Sequence, residues 1–145
     1  MSHARQQIRA ALATSLAGLT GFGTRIYTSR KKTHVTLPDI TIYTTEDGVD
    51  HEQDADGKEM HILTAEIEIR EKVNDALDDT LDGHCAAVEK KIMTNAALIA
   101  LVKYKELENS KIEITEEAEK PVGLATITYS IWYRVSQSNP ETIVS

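Results

Sequence analysis

From Ala125 to Val135 the side chains alternate without a break. Ala125, Ile127, Tyr129, Ile131, Tyr133 and Val135 fall on one side, and Thr126, Thr128, Ser130, Trp132 and Arg134 on the other. A period of two over so long a run fits an extended strand with one buried and one solvated face. The chain must therefore build a sheet and cover one side of it. A second run agrees: Leu63, Ala65, Ile67 and Ile69 alternate with Thr64, Glu66, Glu68 and Arg70.

Two stripes of helical period supply the cover. Ile8, Leu12, Leu16 and Leu19 recur behind Ser2, a suitable N-cap, until Gly18, Gly21 and Gly23 stop the helix. From about Asn74 a second stripe runs through Leu77, Leu81, Cys85, Val88 and Ile92. Asp75, Asp78 and Asp79 lie in its first turns and Lys90 and Lys91 near its end, the polarity that the helix dipole prefers.

The remaining extended segments are shorter. Arg25 to Ser29 reads as a strand, followed by the basic turn Arg30, Lys31 and Lys32. Leu37 and Pro38 open another, with Ile40 and Ile42 opposite Thr41 and Tyr43; Pro38, which has no N–H, suits a strand start or an edge. Lys111 to Thr115 is a third, and Glu116 to Lys120 a charged turn before Pro121. Ala96 to Tyr104 is apolar but too short for periodicity to separate helix from strand. Ser136 to Ser145, with Asn139 and Pro140, reads as a loose tail.

Charge is concentrated in one place. Glu46, Asp47, Asp50, Glu52, Asp54, Asp56 and Glu59 face a single Lys58 between positions 46 and 59, so −6 of the net −7 sits there and the rest of the chain is almost neutral. With Gly48 and Gly57 inside it, this segment reads as a long, mobile acidic loop. A surface of this kind repels phosphate backbones and excludes nucleic-acid binding driven by counterion release.

The order is therefore α-β-β-(acidic loop)-β-α-β-β, which predicts an α+β fold: a mostly antiparallel sheet with two helices packed on one face. At 145 residues and 16.1 kDa, one domain spanning 1–145 is expected. A lone Cys85 cannot form an internal disulfide, and Met1 to Leu19 is interrupted by Arg5, Gln6, Gln7 and Arg9, so synthesis in a reducing compartment without export is expected. No run approaches the ~18 apolar residues of a membrane span.

Catalytic and metal-binding patterns are missing from the sequence. His3, His34, His51, His61 and His84 fall into no H-x-x-x-H or H-E-x-x-H spacing, so exposed or packed imidazoles are expected. His84 and Cys85 sit on or beside the second helix's buried stripe, where packing roles are expected. Glu52, Asp54, Asp56 and Gly57 imitate part of a calcium loop, but Leu63 stands where the bidentate acid belongs. No cofactor, metal or catalytic residue is assigned. A small metal-binding or hydrolytic enzyme using the acidic loop, with His51 beside Asp54 and Asp56, is a remote alternative.

Several strings, in order, resemble the tail-terminator family (minor tail protein U-like) of long-tailed bacteriophages. They are His3-Ala4-Arg5-Gln6-Gln7-Ile8-Arg9, then Arg25-Ile26-Tyr27 with Ser29-Arg30, then Leu37-Pro38 before a strand. Asp78-Asp79-Thr80-Leu81-Asp82, Ile112-Glu113-Ile114, Glu119-Lys120-Pro121-Val122-Gly123 and Tyr133-Arg134-Val135 continue the series. Lys31-Lys32-Thr33-His34 departs from it, standing where more apolar residues are expected. The resemblance implies a non-enzymatic subunit that forms a homo-oligomeric ring, a hexamer, on the end of a finished tail tube. It would stop polymerisation and present a surface to the head-completion or connector protein, at the head-proximal end of a virion tail made in the bacterial cytoplasm. Another neck or head-completion ring protein is the alternative. On this reading Asp47, Asp50, Glu52, Asp54, Asp56, Arg30, Lys31 and Lys32 are the candidate interface or lumen residues, with no membrane and no specific nucleic-acid binding.

Overall fold

The computed structural model describes residues 2–30, 36–72, 75–115 and 122–144. Their order is α1 (Ala4–Leu16), β1 (Ile26–Tyr27), β2 (Asp39–Ala55), β3 (Lys58–Lys72), α2 (Leu77–Thr94), α3 (Ala96–Leu101), β4 (Tyr104–Thr115), β5 (Val122–Ser136) and β6 (Asn139–Val144). The six-stranded sheet runs β1-β2-β3-β5-β4, with β6 also on β5, and only the β1–β2 pair is parallel. The fold is α+β with a mostly antiparallel sheet, as the alternation requires.

At its centre, β3 and β5 pair along their whole lengths, from Lys58 opposite Ser136 to Lys72 opposite Val122. This register sets Leu63, Ile67 and Ile69 beside Ile131, Ile127 and Ala125, all buried. Ile40 and Ile42 of β2 join the same face opposite Ile69 and Ile67. The stripes of both long helices complete the cluster: Ile8, Leu12 and Leu16 from α1, and Leu77, Leu81, Cys85, Val88 and Ile92 from α2. Burying each Leu, Ile or Val contributes about 1.5–3 kcal/mol, and no other term of that size covers so much of the chain.

Local features fix the helix ends. His3, not Ser2, is the N-cap of α1; its Nδ1 accepts the Arg5 N–H at 3.1 Å, while the Ser2 carbonyl accepts from the Gln7 side chain. After α1, Gly18, Gly21 and Gly23 take positive φ angles in successive tight turns that other residues adopt at a cost. Those turns deliver Phe22 to the core, where its ring meets His84 edge-on at 4.7 Å between centroids. Arg25 ties the turns to the next segment, donating to the carbonyls of Gly21 and Pro38. The Leu37–Pro38 bond is cis and Asp39 begins β2, so Pro38 stands just ahead of a strand.

Three further expectations are corrected, and one open segment is assigned. The acidic segment is no loop: Glu46–Ala55 continues β2, and Lys58 and Glu59 begin β3, so only Asp56 and Gly57 turn. Pairing with β5 holds β3 extended as far as Lys58, and β3 in turn templates β2 despite its polar sequence. The tail is not loose, because Arg134 and Val135 of β5 pair with Val144 and Ile143 of β6, and the Gln7 side chain donates to the Glu141 carbonyl at 2.7 Å. The undecided apolar run holds a third helix, α3, capped by Asn95, whose side chain accepts from the Leu98 N–H at 3.0 Å. β4 starts at Tyr104, well before Lys111, since bonding to β5 from Trp132 onward satisfies its polar backbone. The 116–121 turn lies outside the described residues.

Two glycines of the same region respond oppositely to a methyl group. A Cβ on Gly123 would stand 2.5 Å from Leu81 Cδ1 and 3.2 Å from Leu77 Cγ, both in the core, whereas one on Gly83 of α2 meets nothing within 4 Å. Gly123→Ala should destabilise by about 1–3 kcal/mol through overpacking. Gly83→Ala should stabilise by about 0.5–1 kcal/mol through helix propensity. Urea denaturation of the two variants checks both signs.

Candidate assembly surface

The candidate residues divide once they are placed. Asp47 leaves the acidic group and turns inward, onto the helix-covered face opposite Leu63, with its side chain 8% exposed. There Asp47 Oδ2 accepts the Tyr133 hydroxyl at 2.7 Å and Oδ1 lies 3.0 Å from His61 Nδ1, while Arg5 Nε of α1 stands 3.8 Å away. The second ring nitrogen of His61 meets Glu59 Oε1 at 2.8 Å. Carboxylates bracket the imidazole on both nitrogens. Burial and the Asp47 carboxylate hold the Tyr133 phenol far above its ordinary range, so it keeps its proton. The group is a clamp joining α1, β2, β3 and β5.

The other acids form the outer part of the hairpin. β2 bulges between Asp50, opposite Met60, and Ala55, opposite Lys58. Asp50 accepts the Glu52 N–H at 3.1 Å and the Gln53 amide at 2.7 Å. Asp54 accepts the Met60 N–H at 3.1 Å and lies 2.9 Å from His51 Nδ1. Glu52 and Asp56 are exposed. The Gln137 N–H donates to the Gly57 carbonyl at 3.0 Å, which ties the turn to the β5–β6 connection. The carboxylates are thus turned to separate donors instead of converging, and among the described residues no group of three His, Cys, Asp or Glu is placed to hold a metal ion.

Of the basic turn, Arg30 is described: its guanidinium lies over the Tyr43 ring, 4.4 Å from the centroid. Lys31 and Lys32 lie outside the described residues. Glu68 pairs with Arg70 at 3.1 Å on the uncovered sheet face, and together with Glu66 it helps burial to push the Tyr43 phenol up to about 12. On the covered side His84 Nε2 lies 2.7 Å from Glu71 Oε2, so this histidine packs and pairs at the helix–sheet seam. Burial pushes the Cys85 thiol up to about 11, aided by Glu89 and Asp82, which leaves almost no thiolate at neutral pH.

Sequence reasoning missed the clamp. His61, Glu59, Tyr133 and Arg5 carry no spacing signal, because Tyr133 and Asp47 stand 86 residues apart and only the sheet register unites them. One clue was present in the strand pattern: Tyr133 falls at a core position, and a buried phenol needs an acceptor.

No family model matches the chain, and no curated protein sequence matches it. Its fold is similar to that of a chain from the virion of a native gene transfer agent particle, with a TM-score of 0.52 and 15% identity over 86% of this chain and 93% of that one. No helix is long and apolar enough to cross a membrane among the described residues.

Asp47, Cys85 and His51 each supply a check of the site. Asp47→Asn removes the charge shared by Tyr133, His61 and Arg5 and should cost about 1–3 kcal/mol. Amide exchange at the start of α1 should quicken in that variant. Cys85 should react with a thiol reagent at pH 8 only as fast as the core opens, and Cys85→Ser should cost about 1–3 kcal/mol, with burial of its hydroxyl as the cause. The His51–Asp54 pair raises His51 above its ordinary pKa and lowers Asp54. Its support of the hairpin should therefore fade as pH rises through the elevated His51 pKa and as pH falls through the depressed Asp54 pKa. An NMR titration of the His51 ring should show the upper transition, and Asp54→Asn should shift it down.

Proposed function

We propose that the chain is a structural subunit of a virion that closes the end of a tail tube as a homo-oligomeric ring, a hexamer, and offers its far surface to a head-completion or connector protein. The observation that carries this reading is the fold-level match, nearly end to end on both sides, to a chain of a gene transfer agent virion. The resemblance of the ordered strings from His3 to Val135 supports tail termination as that role. The chemistry of the site fits a structural role, with charged side chains satisfied by fixed partners, an inert thiol and a phenol that keeps its proton.

In this ring the tip of the β2–β3 hairpin, with Glu52 and Asp56 exposed, presents negative charge to the channel through which DNA passes. Acidic walls repel phosphates and keep the duplex from adhering, within a Debye length of about 8–10 Å. Neutralising Glu52→Gln and Asp56→Asn leaves Asp54 on the Met60 N–H and His51, so the fold should survive. The expected result is normal tail length with slower DNA delivery; delivery at the unaltered rate would make these charges bystanders.

Placement decides the main reading. Gold labelling of a tagged chain should mark one end of purified tails, the end that joins heads. Label that stays with heads when tails are detached would favour the neck or head-completion alternative, and label on neither would sink both.

A further inference from the structure

Among the described residues both edges of the sheet are open: no strand pairs with the outer side of β4, and β1 covers the outer side of β2 only at Ile40 and Thr41. An uncovered edge offers a row of N–H and C=O groups to another chain. β4 also lacks cover on its faces, since every residue from Glu106 to Ile114 is exposed. α2 lies over β3 and β5, and β4 extends past it.

The apolar side chains on this edge share one side. Leu107, Ile112 and Ile114 pair with Tyr129, Ala125 and Gly123, so they continue the helix-covered face, yet they are 45%, 41% and 41% exposed. The opposite edge carries a counterpart: Val49 of β2, opposite His61, is on the same face and 43% exposed. Charge does not match along the whole of both edges, since β4 carries Lys105 and Lys111 among Glu106, Glu108 and Glu113 and the open run of β2 is acidic. Lys111 is the local exception: opposite Thr126, it lies on the uncovered face, as do Glu46 and Asp50 of β2 opposite Thr64 and Met60.

We propose that the β4 edge of one copy adds to the open β2 edge of the next copy, so that the sheets join edge to edge around the ring. The proposal rests on the ring reading above and names the surface that builds it. A closed ring repeats one head-to-tail contact between two different patches, and the sheet supplies such patches at its opposite edges. With the sheets facing the same way, Leu107, Ile112 and Ile114 meet Val49 on the helix side and lose their contact with water. β4 faces the β1 end of the sheet across the strands, whereas the open run of β2 lies toward the hairpin tip, so neighbours must be staggered along the strand direction. Closed sheets require such a stagger. Glu106, Glu108 and Glu113, interleaved with the lysines, discourage pairing with an arbitrary edge.

The test uses the full chain over a range of concentrations, with sedimentation velocity for size and a zero-length carbodiimide cross-linker for contacts. The expected products are a closed oligomer and intersubunit cross-links from Lys111 to Glu46 or Asp50, which share the uncovered face. Lys111→Glu and Val49→Asp, both at exposed positions, should each weaken association about tenfold or more while the monomer melts as before. Oligomers cross-linked only through other surfaces, or variants that associate like the parent, would overturn the joint and leave the ring standing. A chain that stays monomeric throughout would also overturn the joint, and the ring reading would still be decided by labelling of tails.

Discussion

The pairing of β3 with β5 is the contact on which the rest of the structure depends. It brings together two long strands whose apolar side chains occupy every second position, and it makes one continuous buried face from Leu63 and Ile131 to Ile69 and Ala125. Each other element docks on that face or borrows an edge from it. α2 crosses both strands, β2 pairs with β3, and β4 and β6 divide the far edge of β5. Helices as polar on their outer sides as α1 and α2 have little reason to persist alone, because packing supplies most of a helix's stability in a protein.

This hierarchy explains what the sequence revealed. β5, β3 and both long helices could be read directly, because their apolar residues obey a period that only one backbone geometry matches. Cys85 and the glycines after α1 followed for the same reason. The acidic segment defeated that reading: seven carboxylates and two glycines look like a loop, and nothing local says otherwise. What makes it a strand is long-range, since β5 remains in register down to Ser136 and carries β3, and then β2, along with it. Tertiary pairing here overrides a composition that disfavours strands. α3 shows the opposite limit, a run so short that its cap, Asn95, is more informative than its period.

The candidate site was legible as composition but not as geometry. The concentration of acids was apparent, but its division into an inward Asp47 and an outward Asp50, Glu52 and Asp56 depends on a register shift between Thr44 and Glu46. That shift moves the strand by one position and turns the side chains after it to the opposite face from the one simple alternation would give. Asp47 thereby enters the core beside Tyr133 and His61 instead of joining its acidic neighbours in solvent. One irregularity in β2 thus separates a clamp that holds the fold from a charged tip available to partners.

The uncovered parts of the molecule are as informative as the buried ones. A sheet of this size ordinarily hides its edges behind loops, twists them away with bulges or studs them with charge, and β4 combines an irregularity between Leu107 and Asn109 with charged side chains. These devices still leave Leu107, Ile112 and Ile114 exposed on the side where the remaining strands are covered. Tyr104, 57% exposed, stands against Trp132 at 5.2 Å on the other side, so aromatic surface also borders this edge. Such an arrangement costs solubility in an isolated subunit. Apolar side chains carried along a strand edge that is open among the described residues are surface offered to a neighbouring chain, and the core is complete without them.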